Sequence, residues 1–253
     1  PANTIRILHV DNDPDQLRFS KLFLEQANPV LRIEGASSSK EALRMLLRQP
    51  YDCILSDYAM PGLNGIDLAQ KVRETRRIPF IVYTGHGSEE VAEAAFASGV
   101  DDYVRKEPDP SHYQILAKRI VNAVEKHRAE ELYRSVAEGS RDAIIIIVGT
   151  TYVYANRATA DLMGVGDPSE LVGRDCLEQV EGEDREFVRQ RTLSRQTGEP
   201  QPSLYEFNLR HADGTLRRME ASVSLINYEG RPASLSFARD ITDRKRMEQA
   251  LSE

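Results

Sequence analysis

Up to about residue 128, short runs of β-branched and apolar residues alternate with longer stretches whose apolar positions recur at helical spacing. Ile5–Val10 predicts a buried strand. Asp13 follows as an expected N-cap with Pro14 at the first helical position, and Leu17, Leu22, Phe23 and Ala27 mark the helix. Leu31–Ala36 predicts a second strand. The Ser38-x-x-Glu41 capping box opens a helix through Arg48. Cys53–Ser56 is a third strand, ending at Asp57 and followed by the turn-rich Met60-Pro61-Gly62-Leu63-Asn64-Gly65 and a helix to about Arg73. Pro79–Tyr83 is a fourth strand, ending at Thr84-Gly85. A helix capped by Ser88 runs to Gly99, Asp102–Val104 is a short fifth strand, and a last helix starts near Ser111. Strands alternating with helices in this way predict an α/β, doubly wound, five-stranded parallel sheet covered on both faces.

From Ala143 the pattern changes. Ala143–Val148 and Thr151–Ala155 flank Gly149-Thr150 as a hairpin. A helical middle is expected from Arg157 to about Thr197, broken at Gly164, Gly173 and Gly182. The strands Ser203–Arg210, Thr215–Ile226 and Ala233–Ile241 follow, joined by turns at Ala212-Asp213-Gly214 and Asn227–Gly230. Two strands, helices and three more strands predict an α+β domain with a five-stranded antiparallel sheet. Between the halves, Leu116, Ile120, Val124, Leu132 and Val136 form an apolar stripe over residues 111–138, read as one long helix or two abutting ones. Its first three members can pack on the parallel sheet. The rest can pair with a second chain, so a homodimer through helices is expected. The expected division is 1–128, then 129–242 with its connector helix, then 243–253 as the start of a further helix.

Charge and composition narrow the partners. The 253 residues carry a net charge of −7, about −1 on residues 1–128 and −6 on the remainder. Neither half is basic, which argues against a nucleic-acid partner. The longest apolar run, Ala143–Val148, is far shorter than the ~20 residues of a membrane-spanning helix, so no membrane partner is expected. The chain opens without a secretory signal pattern, and two distant cysteines, Cys53 and Cys176, make neither a disulfide framework nor a zinc site. A cytoplasmic location is the simplest reading.

In sheets of this kind, sites form beyond the carboxyl ends of the strands. Asp11, Asn12, Asp57, Thr84 and Lys106 all fall there and are expected to converge. Two carboxylates and an amide make a hard-oxygen site suited to Mg²⁺, and a carboxylate beside a metal and an ammonium can attack phosphorus. The ordered set Val10-Asp11-Asn12-Asp13-Pro14, Asp57 with Met60-Pro61-Gly62-x-x-Gly65, Thr84-Gly85 and Asp102-Tyr103-x-x-Lys106 resembles that of response-regulator receiver domains, with their flavodoxin-like fold, over all of residues 1–128. The resemblance implies that Asp57 accepts a phosphoryl group from a histidine kinase or phosphotransfer protein. It implies Mg²⁺ held by Asp11, position 12, Asp57 and the Ala59 carbonyl, phosphoryl contacts from Lys106 and Thr84, and a switch pair of Thr84 and Tyr103.

Two departures matter. The family usually has an acid where this chain has Asn12, so weaker Mg²⁺ binding and slower phosphorylation are expected. Asp13 could stand in as a ligand, but a helix cap is its simpler role. Glu107 also separates Lys106 from Pro108, so the Lys106–Glu107 bond is expected to be trans.

Residues 131–242 resemble a PAS domain. The resemblance rests on Tyr154-Ala155-Asn156, Leu171-Val172-Gly173-Arg174, Glu183-Asp184-Arg185, Asp213-Gly214 and the closing Arg239-Asp240-Ile241-Thr242 with its charged continuation. It implies sensing through a small pocket, dimeric signal transmission, or both; the ligand is unknown. Gly173-Arg174-Asp175-Cys176 is similar to the cysteine motif of flavin-binding photoreceptor relatives. Those continue Arg-Phe-Leu-Gln, whereas Leu177-Glu178-Gln179-Val180 follows here, and the flavin-holding asparagines are missing. Cys176 is therefore expected to be a structural thiol, and His211, beside a turn, a surface histidine rather than a haem ligand. No ATP-binding glycine motif occurs before the last residue, so the chain is expected not to be an enzyme that phosphorylates itself, though related proteins often continue into a kinase core. The expectation is a two-component phosphorelay protein. The alternatives are a pseudo-receiver/PAS scaffold and a ligand- or light-sensing PAS protein.

Overall fold

The computed structural model describes residues 4–85 and 89–251 and divides the chain into two compact units between Leu132 and Tyr133. The first holds strands β1 (Ile5–Val10), β2 (Leu31–Ala36), β3 (Cys53–Ser56), β4 (Phe80–Thr84) and β5 (Asp102–Arg105). Between them run helices α1 (Pro14–Ala27), α2 (Ser39–Arg48), α3 (Gly65–Arg73) and α4 (Glu89–Ala97), and α5 (His112–Glu138) follows. All strand pairs are parallel in the order β2-β1-β3-β4-β5, the doubly wound sheet that the alternation predicts.

Period-two alternation on the central strands feeds two cores. On β4, Phe80 and Val82 join a cluster with Ala42 and Leu46 of α2, Leu68 and Val72 of α3 and Ala95 of α4. Ile81 and Tyr83 point the other way, into a cluster with Leu24 of α1 and Leu116, Ile120 and Val124 of α5. On α1 it is Leu24, not Leu22, that reaches the core: Leu22 is half exposed. Caps set the helix starts. Asp13 accepts from the Asp15 N–H ahead of Pro14, Ser38 accepts from the Glu41 N–H, and Asn64 and Asp67 form a reciprocal capping box on α3. The expected cap Ser88 lies outside the described residues. No cis peptide bond occurs among the described residues.

The second unit holds β6 (Ala143–Val148), β7 (Thr151–Ala155), β8 (Leu204–Arg210), β9 (Leu216–Tyr228) and β10 (Arg231–Asp240), antiparallel in the order β7-β6-β10-β9-β8. Its helices are α6 (Arg157–Met163), α7 (Gly182–Gln196) and α8 (Thr242–Ala250). The expected long helical middle is a correction: only α6, one 3₁₀ turn at Pro168–Glu170 and α7 are helical. Gly164 ends α6 in the left-handed region, where glycine alone is unstrained, whereas Gly182 opens α7 rather than breaking a helix. Between them the chain makes two isolated bridges, Thr151 to Asp175 and Val180 to Leu209, which pull it onto the sheet instead of into a helix.

Candidate functional site

Backbone pairing carries three residues just past their strands to one rim. The Asp11 N–H donates to the Ala36 carbonyl, the Asp57 N–H to that of Val10 and the Lys106 N–H to that of Thr84, at 3.0, 2.8 and 2.9 Å. The rim lies where the strand order reverses, between β1 and β3, the place where an open parallel sheet leaves a crevice.

There the side chains meet. Lys106 Nζ lies 2.6 Å from Asp11 Oδ2 and 3.5 Å from Asp57 Oδ1. Asp11 is 1% exposed and Asp57 7%, so one ammonium is shared by two nearly buried carboxylates. Asp11 Oδ1 accepts from the Asp13 N–H and Asp57 Oδ1 from the Tyr58 N–H, both at 2.9 Å. Asp57 Oδ2 accepts no hydrogen bond among the described residues, which leaves one oxygen open on an otherwise fixed carboxylate. The loop beneath is set by Gly65, whose N–H donates to the Tyr58 carbonyl; a Cβ there would lie 2.3 Å from the Asp57 carbonyl oxygen. That close approach is what the second glycine of the turn-rich motif is for.

The other expected residues stand nearby in different ways. Thr84 is fully buried at the end of β4. Tyr103 pairs in register with Val82 and packs against that face's core, but its buried hydroxyl has no hydrogen-bond partner among the described residues, so it is not joined to Thr84. Asn12 and Ala59 are exposed, and the Asn12 side chain makes no hydrogen bond among the described residues. Asp13 is committed to its cap. Among the described residues no group of three or more His, Cys, Asp or Glu side chains is placed to hold a metal. The donor set is two carboxylates plus neutral oxygens, which still fits a hard cation such as Mg²⁺ but with one charge fewer than three acids would give.

Sequence reasoning missed the floor. His9 is fully buried, and neither ring nitrogen has a hydrogen-bond partner among the described residues. Burial first, then the Lys106 charge, pushes its pKa down to about 3, against a smaller upward pull from Asp57. The ring is therefore neutral near pH 7, and its 4.0 Å approach to Asp11 is not an ion pair. Tyr83, also fully buried, bonds through its hydroxyl to His112 in the first turn of α5. A polar-tipped side chain at an inward position of each strand, His9 on β1 and Tyr83 on β4, was the only signal available.

In the second unit the core encloses a cavity of about 50 Å³, lined among others by Ile145, Tyr152, Met163, Cys176, Phe207 and Met219. Ligand pockets of flavin or haem size run to several hundred Å³. Cys176 is buried and its thiol is pushed up to about 12, chiefly by burial, which makes it an inert structural thiol. His211 corrects an expectation: its side chain is only 13% exposed, lies with Nδ1 2.9 Å from Asp213 Oδ1 and packs against Gly164. The Tyr154-Ala155-Asn156 motif does not disclose the role of Asn156. Fully buried, it donates to the Ala137 and Asp142 carbonyls and accepts from the Ile144 N–H, the Thr159 N–H and the Thr159 hydroxyl.

Residues 7–120 match the family model of the response regulator receiver domain, and residues 131–241 that of the PAS fold. The chain thus carries a receiver domain followed by a PAS domain, two signalling modules that support a place in two-component signalling. Among curated proteins it is 32% identical over 125 residues to the transcriptional regulatory protein SrrA of Staphylococcus aureus, covering 49% of this chain and 51% of that one. The chain spans about half the length of the curated relatives it matches. Among solved structures, a response regulator receiver domain protein from Clostridium thermocellum is 30% identical over 49% of this chain and 98% of its own, at TM-score 0.45. The Francisella response regulator 1452 receiver domain is 28% identical over 49% and 99%, at TM-score 0.44. Among the described residues no helix is long and apolar enough to cross a membrane.

Proposed function

We propose that the chain is a phosphorelay protein in which Asp57 accepts a phosphoryl group from the phosphohistidine of a histidine kinase or phosphotransfer protein. The observation that carries this is the pinned Asp57 carboxylate: Oδ1 is held by the Tyr58 N–H and approached by Lys106, while Oδ2 is open. In the transfer, Oδ2 attacks phosphorus, the donor's N–P bond breaks and its electron pair stays on the imidazole nitrogen. Lys106, already between the two carboxylates, is placed to offset charge on the incoming phosphoryl oxygens, and the Thr84 hydroxyl to donate to them. Asp11, Asp57, the Asn12 side-chain oxygen and the Ala59 carbonyl would hold Mg²⁺, which when bound neutralises phosphoryl charge; Asn12 makes that binding weak. Thr84 and Tyr103 form the switch pair, and among the described residues no hydrogen bond ties the Tyr103 hydroxyl to its present place.

In this reading the receiver is residues 1–128, the PAS domain with its connector 129–242, and an output helix begins at 243. The PAS domain senses or relays the signal, and two chains pair through the connector and output helices, where Leu132, Val136, Met247 and Leu251 are all more than half exposed. A cytoplasmic location goes with a kinase partner. A phosphorylation-silent scaffold is the second reading, favoured by Asn12. Incubation with phosphoramidate and Mg²⁺ decides between them by intact mass: one phosphoryl group on the wild type and none on Asp57→Ala supports the relay. An unmodified wild type at every Mg²⁺ concentration supports the scaffold.

A further inference from the structure

Lys106 has four rotatable bonds and two carboxylates competing for its ammonium, so something must restrict where it sits. The alternation on β4 places Tyr83 one residue before Thr84 and on the opposite face, within the core that α1 and α5 cover. Lys106 Nζ lies 5.6 Å from the centroid of the Tyr83 ring, within reach of a cation–π attraction. The ring is itself fixed from behind. His112, 7% exposed, turns Nδ1 toward the Asp109 carbonyl. A carbonyl only accepts, so Nδ1 is the donor there. Nε2 and the Tyr83 hydroxyl hydrogen-bond to each other. His112 stacks on Tyr83 and packs at 4.1 Å against Tyr113, which stacks on Phe23 at 5.2 Å, so the anchor rests on an aromatic wall. An aliphatic pair would fill this core without burying two polar groups.

We propose that Tyr83, anchored by His112, is the positioning residue for Lys106: its ring is the platform that holds the ammonium between Asp11 and Asp57. The effect on phosphoryl transfer rests on the function proposed above, whereas the effect on the ammonium itself does not. Tyr83→Leu removes the platform, and Tyr83→Phe keeps the ring while deleting the hydroxyl that bonds to His112. Two measurements on the full chain test the idea. The first is ¹⁵N relaxation of the Lys106 ammonium without any phosphodonor. The second is the rate of phosphorylation against phosphoramidate concentration. The expected result is a mobile ammonium and a limiting rate about tenfold lower in Tyr83→Leu, at unchanged half-saturating donor. Tyr83→Phe, which keeps the ring beside the ammonium, is expected to restore most of both, with the order of the Lys106 ammonium as the readout that packing alone would not move; an ammonium as mobile in Tyr83→Phe as in Tyr83→Leu overturns the platform role of the ring. Wild-type ammonium order in Tyr83→Leu overturns the proposal. A wild type that takes up no phosphoryl group refutes the phosphorelay function instead, and the relaxation measurement still decides the role of Tyr83.

Discussion

At the scale of single residues, the site depends on charge more than on shape. Where a third acid would complete the proposed cation cage, the chain has Asn12, exposed and without a side-chain hydrogen bond among the described residues. A unit charge at ~4 Å is worth about 4 kcal/mol at an effective dielectric of 20, before desolvation takes back much of it. Asn12→Asp should therefore tighten Mg²⁺ binding by roughly tenfold, read by isothermal calorimetry since the chain has no tryptophan to report it. Unchanged affinity would remove position 12 from the cage. His9 is the opposite case, a polar ring buried with neither nitrogen partnered among the described residues. Leaving such a group unsatisfied costs about 1–3 kcal/mol. His9→Leu should raise the urea stability of the receiver by about 1 kcal/mol or more, and a lower midpoint would mean that the imidazole has a structural partner after all. Little of this was legible in advance. Asp11, Asp57 and Lys106 announce themselves by standing at strand ends, but the environment of His9 is made by β1's neighbours, and the bond from Tyr83 to His112 spans 29 positions of sequence.

At the scale of elements, what was legible follows from local rules. Most strands of the first unit were readable as short, largely apolar or alternating runs closed by a turn, and the first two helices because the caps Asp13 and Ser38 sit at their starts, whereas the Asn64 cap of α3 lay hidden in a turn-rich stretch. The stretch from Arg157 to Thr197 misled because helical periodicity in a glycine-punctuated segment cannot reveal bridges to distant strands such as Val180 with Leu209. Asn156 is the clearest element-scale device. It ties the last turn of α5 to the start of β6 and to α6 through five side-chain hydrogen bonds. Asn156→Ala strands several buried N–H and C=O groups, so it should destabilise the PAS unit by about 3 kcal/mol or more, seen as a lower denaturation midpoint. It should also loosen hydrogen exchange over residues 134–138 ahead of the rest. A midpoint within experimental error of wild type would show that water replaces the whole network.

At the scale of the molecule, two separately built units share one chain, and the 27-residue helix α5 belongs to both. Leu116, Ile120 and Val124 are spent on the receiver core, whereas Leu132 and Val136, further along the same stripe, stay more than half exposed. That division of one apolar stripe lets a helix of this length serve one unit's core and still carry exposed apolar residues beyond it, the face on which the proposed pairing of two chains rests. Under the proposed function, the rim that holds two carboxylates and an ammonium accepts a phosphoryl group at a single position, Asp57. The most direct measurement is tandem mass spectrometry of the chain after exposure to phosphoramidate and Mg²⁺, read residue by residue. The phosphoryl group is expected on the peptide containing Asp57 and nowhere else; a label on Asp11, on a hydroxyl side chain or on no residue would overturn the proposed transfer.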